Sequence, residues 1–201
     1  MKVSAAAFRG VDAGRRLMEA LGYAPERTFW VMRGEVASLP VADALTGIEI
    51  RRYRPGVDDV EIHGALSEAF DDHWGWPFAP YDEWREAAIE GEGSGYDPGF
   101  WFVATENGAI VGASIAIASS PRNEHAAYVQ DLGVRRVSRR RGIATALLAA
   151  TFAEARSRGI TEVELAVDSE SETGAPALYE RAGMRVVYAW EEWTKAIPAG
   201  D

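Results

Sequence analysis

The sequence predicts a mixed α/β fold with a largely antiparallel first half and one strand–helix–strand crossover in the second. Three observations carry this reading. Phe100–Ala104 and Ile110–Ile117 are apolar runs flanking Glu106-Asn107-Gly108, the strongest short hairpin signal in the chain. Gly47–Tyr53 alternates apolar and polar residues and stops at Arg54-Pro55-Gly56. A long alanine-rich segment, Gly142–Arg158, is closed by Gly159 and lies between two runs of buried-strand type, Ala126–Val134 and Thr161–Val167.

The remaining elements follow in order. After the first strand, Asp58 caps a helix that runs to about Phe70, with Val60, Ala65, Leu66 and Ala69 as its apolar stripe. A loop rich in Trp and Pro, Asp71–Pro80, leads to a second helix over about Tyr81–Glu90. Gly91–Gly99 reads as a mobile, glycine-rich connection. Beyond the crossover, Ala175–Ala182 is a short helix closed by Gly183, and Met184–Ala196 is a last strand region.

An internal echo sets the N-terminal segment apart. Leu17-Met18-Glu19-Ala20-Leu21-Gly22-Tyr23 resembles Leu178-Tyr179-Glu180-Arg181-Ala182-Gly183-Met184, and an aromatic strand follows each. Residues 1–40 therefore read as the end of a preceding copy of the domain that occupies 47–197; a helix ending in Gly is common enough that chance similarity is the competing reading.

Composition narrows the chemistry. With no cysteine, disulfides, thiolate metal sites and cysteine nucleophiles are excluded together. His63, His73 and His125 lie too far apart in sequence for metal-ligand spacing, so no metal is expected. No apolar run reaches the roughly 18 to 20 residues of a membrane span, and the N-terminus forms no signal-peptide core. A cytoplasmic location is the expectation. A formal net charge of −10 disfavours nucleic-acid and anionic-membrane partners and attracts cationic amines, although solubility alone is the more ordinary account of it.

Against that acidic background, Val134–Ala144 stands out: a strand ends, Arg139, Arg140 and Arg141 crowd the turn, and a helix opens at Gly142. The first turn of a helix leaves N–H groups unpaired at the positive end of its dipole, which makes an anion site. Gly142 and Ala144 are small enough to let a phosphate approach the backbone. A solvated basic turn is the alternative.

Arg139-Arg140-Arg141-Gly142-Ile143-Ala144 also fits the pattern Arg/Gln-x-x-Gly-x-Gly/Ala of the GNAT N-acetyltransferase superfamily, with Leu132-Gly133-Val134 at the usual distance before it. Ala177–Met184 resembles the same superfamily's Ala-Leu-Tyr-x-x-x-Gly-Phe segment. Phe70–Gly75 and Val167-Asp168-Ser169 are similar to mycothiol-synthase-like members, which often carry two such domains in tandem. The resemblance covers about residues 47–197. It implies a mixed, mostly antiparallel twisted sheet splayed at a cofactor cleft, and an acetyl-CoA-dependent N-acetyltransferase acting on a small-molecule amine by direct attack. The alternatives are a non-catalytic acyl-CoA-binding module and a peptide N-terminal acetyltransferase.

Carried over by position, the resemblance has the backbone of Leu132, Gly133 and Val134 pair with the pantetheine arm like an added strand. Arg139, Arg140, Arg141, Gly142, Ile143, Ala144 and Thr145 hold the pyrophosphate. Tyr179 protonates the departing thiolate, the competing reading being a core tyrosine. Two departures stand beside these matches. Gln130 and Tyr128 occupy positions where many relatives carry a glutamate base, leaving Asp131 as the nearest carboxylate, able to anchor an amine, relay a proton or simply hold a loop. Ser171 stands where a cofactor-contacting asparagine is frequent. Asp72, His73 and Trp74, with Asp71 and Trp76, fall in the acceptor wall of relatives, where aromatic and acidic groups suit an amine but also pack readily. An N-terminal segment without its parent domain is expected to pack on this chain or to exchange with a second chain in a homodimer.

Overall fold

The computed structural model describes residues 2–38, 45–75 and 77–197. Trp76 and the 39–44 stretch at the predicted boundary lie outside them. The chain divides into two compact units, residues 34–165 and residues 1–33 with 166–201.

In residues 34–165 the hairpin signal is realised directly. Strands β4 (Phe102–Glu106) and β5 (Ala109–Ile117) pair antiparallel across a two-residue turn. Asn107 and Gly108 both adopt positive φ there, 51° and 85°, the conformation a type I′ turn requires. β3 (Ile48–Arg52) adds to β4, and β6 (Ala126–Val134) adds to β5, both antiparallel. β7 (Glu162–Asp168) joins β6 in parallel after the crossover helix α4 (Ile143–Ser157). Helix α2 (Asp59–Phe70) lies against β5 and β6. Its buried stripe is Ile62, Ala65, Leu66 and Ala69, while Val60 is 69% exposed. The expected stripe was off at its first member because, at about 3.6 residues per turn, Val60 projects from nearly the opposite side of the helix to Ala65 and Ala69, whereas Ile62 falls within their row. The second predicted helix is α3 (Tyr81–Arg85) continued by a π turn over Glu86–Glu90.

Successive residues of β6 serve opposite faces. Val134 joins Phe102, Ala104 and Val111 in an apolar cluster with Ile143 and Leu147 of α4. Gly133 meets α2, where an added Cβ would stand 2.9 Å from both Ala69 Cβ and Leu66 Cδ2. Only glycine allows helix and strand to approach this closely.

In the other unit, β8 (Arg185–Ala196) lies between β1 (Lys2–Phe8) and β2 (Ala24–Glu35), antiparallel to each. The echo segments form α1 (Asp12–Ala20) and α5 (Ala175–Arg181). β1 is not signalled in the sequence, since its alanine-rich run alternates between exposed and half-buried positions with little apolar contrast. Helix α1 has no buried residue, and Leu17 and Leu21 are 56% and 51% exposed. Within this chain β1 and β2 both pair with its own β8.

Candidate active site

Strand β6 changes character halfway along. The β5 ladder pairs Ile115 with Asp131 and Ala116 with Val129, so Gln130 is the extra residue of a β-bulge. The parallel β7 ladder runs from Ala126↔Glu162 to Val129↔Leu165 and goes no further. From Gln130 to Val134 the edge of β6 away from β5 has no strand partner among the described residues. Apart from the Val134 carbonyl, which accepts from Arg139, the backbone groups directed to that edge form a template for an extended, amide-bearing ligand. Leu132, Gly133 and Val134 lie on this stretch, and Tyr128 precedes the bulge, with Gln130 exposed at it.

The strand leads directly into the basic turn. Arg140 and Gly142 take left-handed φ values of 62° and 82°, which curl the backbone into the start of α4. The first intrahelical bond runs from the Ala146 N–H to the Gly142 carbonyl at 3.0 Å. The amides of Ile143, Ala144 and Thr145 therefore precede the ladder and point outward at the positive end of the helix dipole.

The arginine side chains are arranged differently from a free cationic cluster. The Arg139 guanidinium donates to Asp72 at 2.8 and 3.2 Å, to the Ala69 carbonyl at 2.9 Å and to the Val134 carbonyl at 3.2 Å. It thus fastens the C-terminal end of α2 to the end of β6, and holds the Asp72 carboxyl below its usual range. Arg141 forms a two-pronged pair with Glu106, at 3.0 and 2.8 Å. Both pairings join residues far apart in sequence, and nothing local to Glu106 or Asp72 announces them. Backbone amides are therefore the donors this turn presents most directly to an anion.

Asp131 is half-buried, and its carboxylate has no hydrogen-bond or ion-pair partner among the described residues. Protein packed around it removes solvation from the anion and pushes its pKa up to about 6. His73 is exposed, with Nδ1 3.1 Å from the Trp74 carbonyl and its ring edge-on to Phe70. Asp72, His73 and Trp74 thus follow α2 directly and reach the basic turn through Asp72.

Ser171 and Tyr179 belong to the other unit. The Ser171 hydroxyl is 2.8 Å from that of Thr173, and its N–H donates to the Asp168 carbonyl at 3.2 Å. Tyr179 is buried on α5, and burial raises its pKa above the ordinary phenol value. Among the described residues, the indole nitrogens of Trp84, Trp101 and Trp193 are buried without a hydrogen-bond partner. Tyr179 is 7% exposed, and its hydroxyl bonds no described residue. Among the described residues no group of three or more acidic, histidine or cysteine side chains is placed to hold a metal, and no helix is long and apolar enough to cross a membrane.

Residues 61–184 match the model of the Acetyltransferase (GNAT) family. The chain is 31% identical over 181 residues to a mycothiol acetyltransferase of Thermobispora bispora, covering 86% of this chain and 59% of that protein. It is 32% identical over 169 residues to the mycothiol acetyltransferase of Salinispora tropica, covering 81% and 53%. The chain thus spans somewhat over half the length of these relatives. A GCN5-related N-acetyltransferase from Sphaerobacter thermophilus superposes with a TM-score of 0.82 at 35% identity, over 100% of this chain and 61% of that one. A tandem GNAT protein from the clavulanic acid biosynthesis pathway shares the fold, with a TM-score of 0.70 at 15% identity, covering 100% and 65%.

Proposed function

Because the chain belongs to the acetyltransferase (GNAT) family, we propose that it moves an acetyl group from acetyl-CoA to the amine of a small molecule by direct attack. The observation that carries the reading is the edge of β6 from Gln130 to Val134, which has no strand partner among the described residues and runs into the outward-pointing amides of Ile143, Ala144 and Thr145. An extended chain with two amides, followed by a pyrophosphate, matches that sequence of donors and acceptors. The small-molecule acceptor is supported by the relatives named mycothiol acetyltransferase.

In this mechanism the β6 edge and the α4 amides fix the thioester, and positioning supplies most of the rate gain. A neutral amine attacks the carbonyl, and the C–S bond breaks after the C–N bond forms. The attacking nitrogen becomes far more acidic once bonded to carbon, and Asp131 takes its proton directly or through water. Tyr179 donates its proton to the departing sulfur. In water that transfer is uphill, since a phenol titrates at about 10 and a thiol at about 8.5. Loss of solvation raises the thiolate's pKa as well as the tyrosine's, so the two stay comparable in a dry site. Asp72, His73 and Trp74 form the acceptor side, with Tyr128 and Gln130 at the bulge. Ser171 is assigned to the cofactor. Residues 1–40 are proposed to derive from the end of a preceding copy of the domain.

Calorimetric titration with acetyl-CoA tests the site. Saturable binding is expected, abolished by Ala144→Asp, which places a carboxylate where the pyrophosphate would lie. Tyr179→Phe should keep that affinity while turnover with an accepted amine falls about 100-fold. Absence of binding, or an unaffected Tyr179→Phe variant, would overturn the cofactor site and the acid assignment respectively.

A further inference from the structure

The β2–β8 ladder has a local twofold symmetry. Phe29 pairs with Trp190, 161 positions later, with their rings stacked at 4.3 Å. On either side Thr28 pairs with Glu191 and Trp30 with Ala189, which are the same two offsets exchanged. The register skips Glu26 on β2 and Val187 on β8, again 161 apart. Flanking bonds repeat the pattern with a shift of one position: Ser169 N–H donates to the Thr28 carbonyl at 3.0 Å and Arg9 N–H to the Ala189 carbonyl at 2.9 Å, the acceptors 161 apart and the donors 160. One unit thus contains two versions of one arrangement, and each serves as a control for the other.

They differ around the tyrosine. Met18 holds the position equivalent to Tyr179. Tyr188 holds the position equivalent to Arg27, and it meets Phe8 edge-on at 5.9 Å. On the tyrosine-bearing side Arg27 instead grips Asp168, with Nε 3.0 and 2.9 Å from the two carboxylate oxygens, and reaches the Glu170 carbonyl at 3.3 Å. Asp168 is 2% exposed. From it a run of bonds continues into α5. Asp168 Oδ1 accepts the Glu170 N–H at 2.9 Å, and the Asp168 carbonyl accepts the Ser171 N–H. The Ser171 carbonyl accepts the Gly174 N–H, and the Gly174 carbonyl accepts the Leu178 N–H.

We infer that Arg27, supplied by the N-terminal segment, is a positioning residue for the 168–174 loop and hence for Ser171 and Tyr179 in the proposed transfer. The inference rests on the acetyltransferase reading of the site. A guanidinium is suited to this task because its planar fork engages Asp168 and the Glu170 backbone together, which an ammonium cannot do. The Arg27–Asp168 ion pair occurs on the side that carries the tyrosine, while on the methionine side Tyr188 meets Phe8 at the equivalent place.

Arg27→Lys is the first test, since it keeps a positive charge beside the buried Asp168 and preserves folding. It should leave the melting temperature near that of the unmodified chain, raise KM for acetyl-CoA and lower kcat, each about tenfold. Hydrogen exchange at the Glu170, Ser171 and Gly174 amides should quicken. Phe8→Leu, at the symmetry-related place, should change neither kinetics nor exchange at those amides. In the Arg27→Lys background Tyr179→Phe should cost less than it does alone, because the hydroxyl is already misplaced. If Arg27→Lys unfolds the chain, Arg27→Met with Asp168→Leu removes both charges and is read in the same way. Wild-type kinetics with unchanged exchange, or strictly multiplicative losses with Tyr179→Phe, would overturn the proposal. Should the unmodified chain acetylate no amine, the function reading falls alone, and the exchange rates still decide whether Arg27 holds the loop.

Discussion

The Asp131 carboxylate has few neighbours in sequence to explain its behaviour, and its raised pKa of about 6 is a property of packing. A carboxyl in an unfolded chain titrates at about 3.9, so between about pH 4 and 6 the folded state binds the proton more strongly. Its contribution to stability is therefore full below about pH 4 and is lost as pH rises through 6. Asp131→Asn should raise the melting temperature at pH 7 and remove that slope from a series of thermal melts. The same variant should abolish the limb of kcat/KM that rises near pH 6, if the ionised carboxylate takes the proton. Asp131, Gln130 and Tyr179 were legible as candidates because motifs flank them. The partners of Arg139 within the chain were not: sequence pointed to a pyrophosphate, and the guanidinium also bonds Asp72 and two carbonyls.

Among the elements, β6 and its neighbours position the site. The bulge at Gln130 and the end of the β7 ladder at Val129↔Leu165 together open the edge that follows. Gly133 sets how closely α2 approaches this strand. Gly133→Ala should destabilise the chain by about 1–3 kcal/mol in urea denaturation, because its Cβ would press on Ala69 and Leu66 within a packed layer. The strand and helix limits were readable to within a few residues wherever alternation, Asn-Gly or a closing Gly marks them. β1 was unreadable for want of such marks, and the bulge because register is a property of two strands.

For the molecule as a whole, the net charge of −10 would attract a cationic acceptor in the proposed transfer. At saturating acetyl-CoA, raising ionic strength from about 0.05 to about 0.5 M shortens the screening length severalfold. The kcat/KM for a cationic amine should then fall several-fold, while that for an uncharged acceptor stays flat. Equal responses from both acceptors would mean that the charge serves solubility alone.

The order of strands and helices over residues 47–197, the glycine-bearing turn before α4 and the tyrosine of α5 were determined by the sequence itself, because turn chemistry, apolar period and short motifs are local. Which groups meet was decided by tertiary structure. Arg141 with Glu106, Arg139 with Asp72 and Arg27 with Asp168 join positions 35, 67 and 141 residues apart. A charged side chain carries no record of its partner in its own neighbourhood. Only the packing of strands and helices within each unit brings such groups within reach.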